Sequence, residues 1–335
     1  METIKVVQVG LGPIGQKTVQ YICQRTGVEV VAAVDPAPDK AGQELGKVCS
    51  LDVKLPVVVA DNFAAAVKDT KPDVAILTTL SSFEGCVPQI EEIIQHGIPV
   101  VSTCEEMLCP WLTEPELAQR LDESAKKQGV AVLGTGINPG FLMDFLPTIL
   151  TGVCQEVKSI RVTRQQDATF RRIPFQQKIG VGLTIQEFEA KREQGSLRHV
   201  GLTESLHMIA LALGWKLDKT EDVISPIIAD REITTGYKTV RPGLAAGVQQ
   251  IGNGYVGGEP VITLVFKASV GESNPGDTIE IKGTPDITSH IAGGVNGDIA
   301  TCAITVNAVK SILKAPAGLR MMTDVPAVSY FGSTK

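Results

Sequence analysis

The chain has 335 residues, of which 43% are hydrophobic and 20% are charged, as in an ordinary globular protein. This length favours two domains over a single core. The formal net charge of -6 argues against nucleic acid as the main partner, and no apolar run is long enough to span a bilayer. The first residues show no signal-peptide pattern. The number of cysteines, seven, is odd, and none of them forms a C-x-x-C motif. We therefore expect a reduced, cytoplasmic compartment.

The first predicted element is an apolar strand over 4–9, which leads directly into a G-x-G-x-x-G pattern. Gly10 allows a tight turn, Gly12 lets a pyrophosphate approach the backbone, and Gly15 lets the following helix pack closely on the strand. That helix, predicted over 14–25, would present free N–H groups to the phosphates. The residues predicted to hold a dinucleotide here are Gly10, Leu11, Gly12, Pro13, Ile14 and Gly15.

The second predicted strand, over 28–34, ends at Asp35. An aspartate about 20 residues beyond the last motif glycine can accept hydrogen bonds from the adenosine ribose hydroxyls. It also repels a 2′-phosphate, so NAD is expected in preference to NADP, although Lys40 could compensate. The alternative interpretation is a turn aspartate before Pro36.

Strand and helix alternate through the rest of the first half. Strands are predicted over 56–59, 73–79, 98–102 and 130–133, and helices over 62–68, 83–96 and 114–128. Asp61 is expected to cap the first of these helices, and Thr113 with Glu116 to form a capping box for the last. The alternation predicts a doubly wound, Rossmann-type parallel sheet with helices on both faces. Ligands of such sheets bind at the carboxyl ends of the strands. Residues expected near the cofactor at these ends are Thr79, Leu80, Cys104 and Asn138.

Two adjacent glutamates, Glu105 and Glu106, follow the strand over 98–102. Because adjacent side chains point in different directions, one can face the cleft while the other caps a helix or is solvated. A carboxylate beside a nicotinamide could deprotonate ammonia or pass a proton to a carbinolamine. The alternative is an exposed acidic loop. Cys104 has no neighbouring histidine that would support a thiolate nucleophile.

A second glycine-rich turn, over 134–140, follows the strand over 130–133. Asn138 in this turn could bind the carboxamide of a nicotinamide, although a plain crossover turn fits the pattern equally well. Four nearby or later apolar residues could line a substrate pocket or belong to the core, namely Phe141, Met143, Phe145 and Phe170.

After about residue 150, runs with strand character dominate. Strands are predicted over 157–169, 223–234, 245–256, 261–270 and 278–282, and a last helix over 298–313. Two further helices begin after a capping box of Thr184 with Glu187 and at Leu202. This pattern predicts an α+β domain with one open, largely antiparallel or mixed sheet and helices on one face.

Arginines at 161, 164, 171 and 172 form a basic cluster in an acidic chain. Arg161 and Arg171 share strand parity, so they could share a face and bind a carboxylate or a phosphate, whereas an ion-paired or solvated face is the commoner interpretation. His199 precedes a helix and could donate a proton or have a structural role. The four histidines lack metal-site spacing, and no metal is expected.

Five motifs together resemble a known family. They are V-G-L-G-P-I-G from Val9, S-T-C-E-E from Ser102, G-T-G-I-N-P-G-F-x-M-D from Gly134, H-V-G-L-x-E-S from His199 and G-G-V-N-G-D-I-A-T-x-A from Gly293. They are similar to those of the NAD(P)-dependent amine dehydrogenases related to 2,4-diaminopentanoate dehydrogenase, which have the two-domain architecture of dihydrodipicolinate reductases.

The resemblance implies reversible oxidative deamination of an amine to a ketone or aldehyde, with ammonia released and NAD(P) reduced. It implies a catalytic acid/base at Glu105 or, less favoured, Glu106. It places Asn138 by the nicotinamide, and it puts Phe141, Met143, Phe170 and His199 near the substrate. It also implies a homodimer formed through the second domain. The expected domains are 1–140 for the dinucleotide, 141–300 for substrate and dimerisation, and 301–335 as a C-terminal helix and tail packing back on the first.

Related oxidoreductases differ at two motifs. True dihydrodipicolinate reductases carry a double histidine, which does not occur here, and sugar-type oxidoreductases carry a lysine in a C-E-K-P turn where this chain has Cys104-Glu105-Glu106-Met107. A carboxylate in place of an ammonium favours a cationic iminium or ammonium substrate. An alcohol- or imino-acid-type reductase on the same scaffold and a non-catalytic NAD-sensing module are the alternatives.

Overall fold

The computed structural model of the protein describes residues 2–333. The chain forms two compact units: one contains the residues up to Phe141 together with those from Asn296 onward, and the other is Leu142–Val295. The chain re-enters the first unit at Asn296. This is a few residues before the expected position 301, because the last helix belongs to the first unit and Asn296 is its N-cap. Its side chain accepts a hydrogen bond of 3.0 Å from the backbone N–H of Asp298.

The elements follow one another in chain order. The first stretch contains β1 (Ile4–Val9), α1 (Pro13–Cys23), β2 (Val28–Val34), α2 (Leu45–Val48), β3 (Val59–Ala60), α3 (Phe63–Val67), β4 (Val74–Leu77), α4 (Phe83–Gln95), β5 (Val100–Ser102), a 3-10 turn (Glu105–Met107), α5 (Pro115–Gln128) and β6 (Ala131–Gly134). The second unit contains α6 (Phe145–Leu150), a 3-10 turn (Thr151–Val153), β7 (Glu156–Asp167), α7 (Ile173–Lys178), α8 (Ile185–Glu193), α9 (Leu202–Leu213), β8 (Lys219–Ile228), β9 (Ile233–Thr234), β10 (Thr239–Val240), β11 (Ala245–Val256), β12 (Glu259–Ser269), β13 (Gly276–Thr284) and β14 (Ile287–Ala292). The chain then adds α10 (Gly297–Ile312) and β15 (Gly318–Arg320) to the first unit.

The first unit is built on a seven-stranded sheet in the order β15-β6-β5-β4-β1-β2-β3, and every pair in it is parallel. The strand order reverses at β1, which pairs with β2 on one side and β4 on the other. Ligands of doubly wound sheets bind at such a reversal. The predicted Rossmann-type sheet is therefore confirmed, and a ligand is expected at its carboxyl edge beside β1.

Side chains alternate across this sheet, so each strand contributes to two cores. Val7, Val9 and Leu77 belong to a core that also contains the buried faces of α4 and α5. On the other face, Leu11, Val19 and neighbouring residues form a second buried cluster, and α10 packs against α1, β5 and β6. Both faces are covered, which explains the continuous apolar runs in the strand sequences.

Two predicted helix caps of the first unit are wrong. The side chain that caps α3 is Asn62, which accepts a hydrogen bond of 2.8 Å from the N–H of Ala65, and Asp61 precedes it. α5 begins at Pro115, whose fixed φ suits the first helical position, so the N-cap falls on Glu114 and no capping box forms with Thr113.

The second unit is built on a six-stranded sheet in the order β14-β13-β7-β12-β11-β8. Only β7 and β12 pair in parallel; the other four pairs are antiparallel. Ile160, Val162, Leu264 and Ile279 are buried on one face, and α9 packs against β8, β11 and β12. The predicted open, mixed sheet is confirmed.

Among the residues that the structure describes, no helix combines the length and the apolar character needed to cross a membrane.

Candidate functional site

The loop between β1 and α1 forms a cradle of backbone. Gly10 has a φ of +86°, a conformation that L side chains rarely adopt, and a Cβ added to Gly15 would lie 2.0 Å from the carbonyl oxygen of Gly10. By contrast, a Cβ on Gly12 would meet no atom within 4 Å. The loop is thus closed where Gly10 and Gly15 touch and open above Gly12, and the first N–H groups of α1 have no partner within their own helix. This arrangement fits a pyrophosphate.

Two polar residues that the sequence analysis did not single out support this loop from below. The amide of Gln8 is buried, and its Nε2 donates to the carbonyl of Gly10 and to Oγ1 of Thr78, each at 2.9 Å. Thr78 Oγ1 in turn donates to the Gly10 carbonyl at 2.9 Å. A glutamine inside the apolar run Val6-Val7-Gln8-Val9 is the sequence signal that would have identified this network.

Asp35 lies at the carboxyl end of β2 and is buried. Its Oδ2 accepts hydrogen bonds from the backbone N–H of Leu11 at 2.8 Å and from Nζ of Lys40 at 2.9 Å, and its Oδ1 accepts from the N–H of Ala37 at 3.0 Å. Burial raises the pKa of this carboxyl, but the hydrogen bonds from Lys40, Ala37 and Leu11 outweigh it, so the net pKa lies below its ordinary value. An ionised carboxylate thus sits beside the loop.

The residues after β4 and β5 form the next part of the edge. Thr79 lies against Gly10, since its Cγ2 would be 2.8 Å from a Cβ added there, and Leu80 is exposed. Cys104 is buried, and its Sγ donates to the carbonyl of Ser81 at 3.1 Å. A hydrogen bond with Cys86 and burial both raise the pKa of the Cys104 thiol, so this sulfur stays protonated near neutral pH.

Glu105 and Glu106 lie together in the 3-10 turn after β5, but their carboxylates differ. Glu106 Oε2 accepts a hydrogen bond of 2.9 Å from the N–H of Phe83, the first residue of α4, and its own N–H donates to the Ser81 carbonyl. Glu106 therefore caps the N-terminus of α4. The carboxylate of half-buried Glu105 makes no hydrogen bond or ion pair with any residue in 2–333.

The turn after β6 is held as tightly as the first glycine loop. Gly140 has a φ of +126°, and a Cβ added to it would lie 2.2 Å from the nitrogen of Gly136. The N–H of Ile137 faces Oγ1 of Thr301 on α10 at 3.4 Å. Asn138 and Phe141 are both half-buried in this segment. The first unit therefore brings Asn138, Phe141, the two glutamates and the glycine loop to one edge of its sheet.

The remaining predicted pocket residues lie in the second unit. Met143 is fully buried, whereas Phe170, in the turn after β7, is 94% exposed. The ring of His199 stacks on Phe266 with centroids 4.5 Å apart, and its backbone N–H donates to Oε1 of Gln250 at 2.7 Å. The predicted role of Met143, Phe170 and His199 beside a substrate stays a prediction.

The arginine cluster divides. Arg164 is buried on β7 and pairs with Asp277 on β13 at 3.3 Å, while Arg161 is exposed on the opposite face. β7 ends at Asp167, so Arg171 lies beyond the strand and its guanidinium lies over the ring of Phe175 at 4.2 Å. The expectation of a strand face shared by Arg161 and Arg171 is therefore wrong. No group of three potential metal ligands occurs within residues 2–333.

Comparison with known proteins agrees with this architecture. Residues 4–135 match the model of the oxidoreductase family with an NAD-binding Rossmann fold, and residues 141–333 match the model of the 2,4-diaminopentanoate dehydrogenase C-terminal domain. The first unit thus contains an NAD-binding domain, and the chain is an oxidoreductase.

Whole-chain relatives extend the match. The chain is 35% identical to the 2,4-diaminopentanoate dehydrogenase of Acetoanaerobium sticklandii over 97% of this chain and 94% of that protein. The structure of an amine dehydrogenase from Mycobacterium smegmatis is similar with a TM-score of 0.83 and 26% identity, covering 98% of this chain and 97% of that one. A dihydrodipicolinate reductase from a Paenisporosarcina species, at 12% identity and a TM-score of 0.54 over 96% and 98% of the two chains, shares the fold. The chain belongs to the 2,4-diaminopentanoate dehydrogenase family.

Proposed function

We propose that the protein is an NAD(P)H-dependent amine dehydrogenase, which converts a small ketone or aldehyde with ammonia into the amine and also catalyses the reverse deamination. The observation that carries the proposal is the pair of glutamates after β5. The carboxylate of Glu106 caps the N-terminus of α4. Glu105 is half-buried at the same sheet edge as the glycine loop, and its carboxylate has no hydrogen bond or ion pair within the described residues. The family relationship supports the same chemistry, since relatives are named as enzymes of amines.

The cofactor would be held by residues of the first unit alone. Gly12 and the start of α1 would take the pyrophosphate, Asp35 the adenosine ribose, and Asn138 the nicotinamide carboxamide. Thr79, Leu80 and Cys104 would lie along the strand ends beside it. When bound, the reduced cofactor supplies a hydride to the carbon that becomes the amine carbon.

Glu105 would act as a general base and then as a general acid. Its carboxylate takes a proton from ammonium, and the resulting ammonia attacks the carbonyl carbon to give a carbinolamine. The protonated Glu105 then donates to the carbinolamine hydroxyl, which leaves as water and produces an iminium. The negative charge of the carboxylate, once restored, stabilises that iminium.

The decisive experiment measures NADH and NADPH oxidation against a panel of ketones and aldehydes, with and without ammonium. We expect consumption that requires ammonium and that falls by roughly 100-fold or more in Glu105→Gln, the usual size of a general acid–base contribution. Binding of NADH to the variant, followed by its fluorescence, should remain. Glu106→Gln is the matched control, because the amide oxygen can still accept from the N–H of Phe83.

Two outcomes would overturn the proposal. Equal carbonyl reduction without ammonium would indicate an alcohol- or imino-acid-type reductase. Tight NADH binding with no turnover on any carbonyl or amine would indicate a module that senses the cofactor.

A second, narrower candidate is oxidation of 2,4-diaminopentanoate itself, and the 35% identical relative named for that reaction favours it. This substrate carries a carboxylate, which a small apolar amine lacks. Parallel assays of NAD reduction with 2,4-diaminopentanoate and with simple alkylamines separate the two. A preference for the alkylamines would exclude the narrower assignment.

We also propose that the protein is a homodimer through the second unit. The face of the six-stranded sheet opposite α9 carries half-buried side chains such as Thr163, Ile251 and Thr263. Sedimentation equilibrium should give twice the chain mass of 35.6 kDa, and Ile251→Arg should lower it to the monomer mass. A wild-type protein that sediments as a monomer at micromolar concentration would contradict this.

A further inference from the structure

Two buried cysteines of the first unit lie beside the turn that carries the two glutamates. Cys86 is in the first turn of α4, and Cys104 directly precedes Glu105. Cys86 Sγ donates to the carbonyl of Leu80 at 3.5 Å, and Cys104 Sγ donates to the carbonyl of the next residue, Ser81, at 3.1 Å. The two sulfurs are therefore directed at neighbouring carbonyls of one loop, although most of α4 and all of β5 lie between them in the chain.

The two thiols also influence each other's proton. A hydrogen bond with Cys104 lowers the pKa of Cys86 against the opposing effect of burial, whereas the same contact together with burial raises the pKa of Cys104. When the pair ionises, the negative charge therefore resides on Cys86, and Cys104 keeps its proton. A thiolate in contact with a thiol is the arrangement in which oxidation of the first sulfur ends in a disulfide with the second.

The loop above the pair faces solvent. Leu80, Ser81 and Ser82 are exposed, and Cδ1 of Leu80 would lie 2.8 Å from a Cβ added to Gly85 in the first turn of α4. A surface loop of this kind opens locally at a lower free energy than the strands and helices of the core. A small oxidant can therefore reach the sulfurs through a local opening of the loop, without unfolding of the sheet.

We propose that Cys86 and Cys104 form a redox-sensitive pair, which a peroxide converts into a disulfide that displaces the turn carrying Glu105. The thiolate of Cys86 attacks one peroxide oxygen, the O–O bond breaks, hydroxide leaves, and Cys86 becomes a sulfenic acid. The sulfur of Cys104 then attacks the sulfenic sulfur. The S–S bond forms, the S–O bond breaks, and the proton of Cys104 leaves with the hydroxyl as water. Two electrons pass from the thiols to the peroxide, and a dithiol returns them.

The disulfide would change the surroundings of Glu105. Cys104 would lose its hydrogen bond to the carbonyl of Ser81, which also accepts the N–H of Glu106 at 3.3 Å, and the 3-10 turn would be tied covalently to α4. The effect on turnover rests on the role proposed for Glu105, whereas formation of the bond does not. Turnover should fall roughly tenfold or more, since misplacing a catalytic group by about 1 Å can cost on the order of 100-fold.

The first test detects the bond itself. The background variant Cys23→Ser/Cys154→Ser lacks the two more accessible thiols, so that peroxide acts on the buried ones. After treatment with hydrogen peroxide and alkylation of the remaining thiols, cleavage after glutamates by endoproteinase Glu-C places the neighbouring cysteines on the separate peptides 85–91, 93–105 and 107–114. Mass spectrometry should show 85–91 linked to 93–105, and dithiothreitol should separate them.

Two variants in the same background identify the partners. Cys86→Ala should abolish the linked peptide. Cys109→Ala is the matched control at a buried cysteine just after the same turn, and it should retain the link. Absence of any linked peptide in the background variant would overturn the proposal. So would a link between 93–105 and 107–114, because it would pair Cys104 with Cys109.

The second test measures ammonium-dependent NADH oxidation in the same samples. Peroxide should lower the activity of the background variant, dithiothreitol should restore it, and Cys86→Ala should keep its activity after peroxide. A linked enzyme with unchanged activity would show that the disulfide does not displace the turn. If the reduced enzyme converts no carbonyl, the proposed function fails, whereas the linked peptide still decides whether the pair forms.

Discussion

At the scale of single residues, one hydrogen bond separates two chemically identical neighbours. The carboxylate of Glu106 accepts a hydrogen bond from the N–H of Phe83. The carboxylate of Glu105 accepts none from the described residues and lies at the carboxyl edge of the sheet. The sequence predicts that two such glutamates divide their roles, but it cannot say how, because the donor lies 23 positions away in the chain. The assignment depends on how β5 and α4 lie against each other, which only the fold supplies.

The role of Glu106 in capping α4 predicts a cost in stability. Glu106→Ala should lower the free energy of unfolding by about 0.5–2 kcal/mol, because the N–H of Phe83 loses its acceptor. Urea denaturation measures this, with Glu105→Ala as the control, which should stay within about 0.5 kcal/mol of wild type. A larger loss in Glu105→Ala than in Glu106→Ala would reverse the two roles.

The cysteines predict a pattern of chemical labelling. Five are buried, and Cys23 and Cys154 are the more accessible. Burial raises the pKa of Cys49 to about 12, and the hydrogen bond with Cys86 together with burial raises that of Cys104, so neither is a ready thiolate at neutral pH. Iodoacetamide at pH 7.5 should label Cys23 and Cys154 before the others, as read by mass spectrometry of the folded protein. Rapid labelling of Cys104 would contradict its burial.

At the scale of elements, α9 carries a half-buried titratable side chain, His207. Burial lowers the pKa of His207 from its ordinary value of 6.5, and its Nδ1 has no hydrogen-bond partner within the described residues. Below pH 6.5 the unfolded chain therefore binds more protons than the folded one, so stability is lost as the pH falls through 6.5 towards the folded pKa.

His207→Gln should remove this particular pH dependence. Between pH 7.5 and 5.5, the free energy of unfolding should fall more in wild type than in the variant, measured by urea denaturation at each pH. His290, an exposed residue of β14, provides the control substitution His290→Gln. An identical pH slope in wild type and His207→Gln would show that the ring does not titrate in this range.

The ion pair of Arg164 and Asp277 ties β7 to β13 inside the second unit. Asp277 Oδ2 accepts the N–H of Val295 at 2.8 Å, and Arg164 Nη2 donates to the carbonyl of Val295 at 2.9 Å. Burial lowers the pKa of Arg164 to about 10 and raises that of Asp277, so each charge is costly alone.

Removing one charge of this pair should lower the free energy of unfolding more than neutralising both charges does. Arg164→Met should cost about 3–5 kcal/mol because it leaves a buried carboxylate without its cation. The double variant Arg164→Met/Asp277→Asn should cost less than Arg164→Met alone, since the amide oxygen of Asn can still accept from Val295. Strictly additive losses in a double-mutant cycle would show that the two groups do not interact.

Elements were predictable where local signals agreed. The capping box of Thr184 with Glu187 is present, and α9 ends at Gly214 as its φ of +69° requires. The box predicted at Thr113 failed because Pro115 fixed the start of α5 one residue later. β15 and β14 escaped prediction, since a strand of three residues and one of alternating exposure carry little hydrophobic periodicity.

At the scale of the whole molecule, the first unit is completed by the C-terminal elements α10 and β15. β15 extends the seven-stranded sheet beyond β6, and the N–H of Leu319 donates to Oδ1 of Asp122 on α5 at 3.0 Å. Arg25, at the end of α1, lies over the ring of Tyr330 at 4.8 Å. The fold class and the presence of an NAD-binding domain were predictable from the first half, but these contacts join residues from nearly opposite ends of the chain.

The closure predicts a strong effect from a small change near the C-terminus. Leu319 is 1% exposed and belongs to the core between the sheet and α4, so Leu319→Ala should lower the free energy of unfolding by about 2–5 kcal/mol. Leu313, at the end of α10, is 41% exposed, and Leu313→Ala should cost well under half of that. Thermal or urea unfolding measures both, and equal losses would show that β15 is not part of the core.

Because the first unit consists of two separate segments of the chain, it cannot complete its folding until the second segment has been synthesised. β1 to β6 are synthesised first, but the helix that covers α1 and the strand that covers the edge of β6 belong to the final 40 residues, 296–335. Residues 142–295 emerge complete before those pieces exist. Throughout that interval the nascent chain carries an unpaired strand edge, the kind of surface on which neighbouring chains pair wrongly. A premature stop before β15 would thus leave the sheet of the cofactor-binding unit incomplete, although most of that sheet is made first.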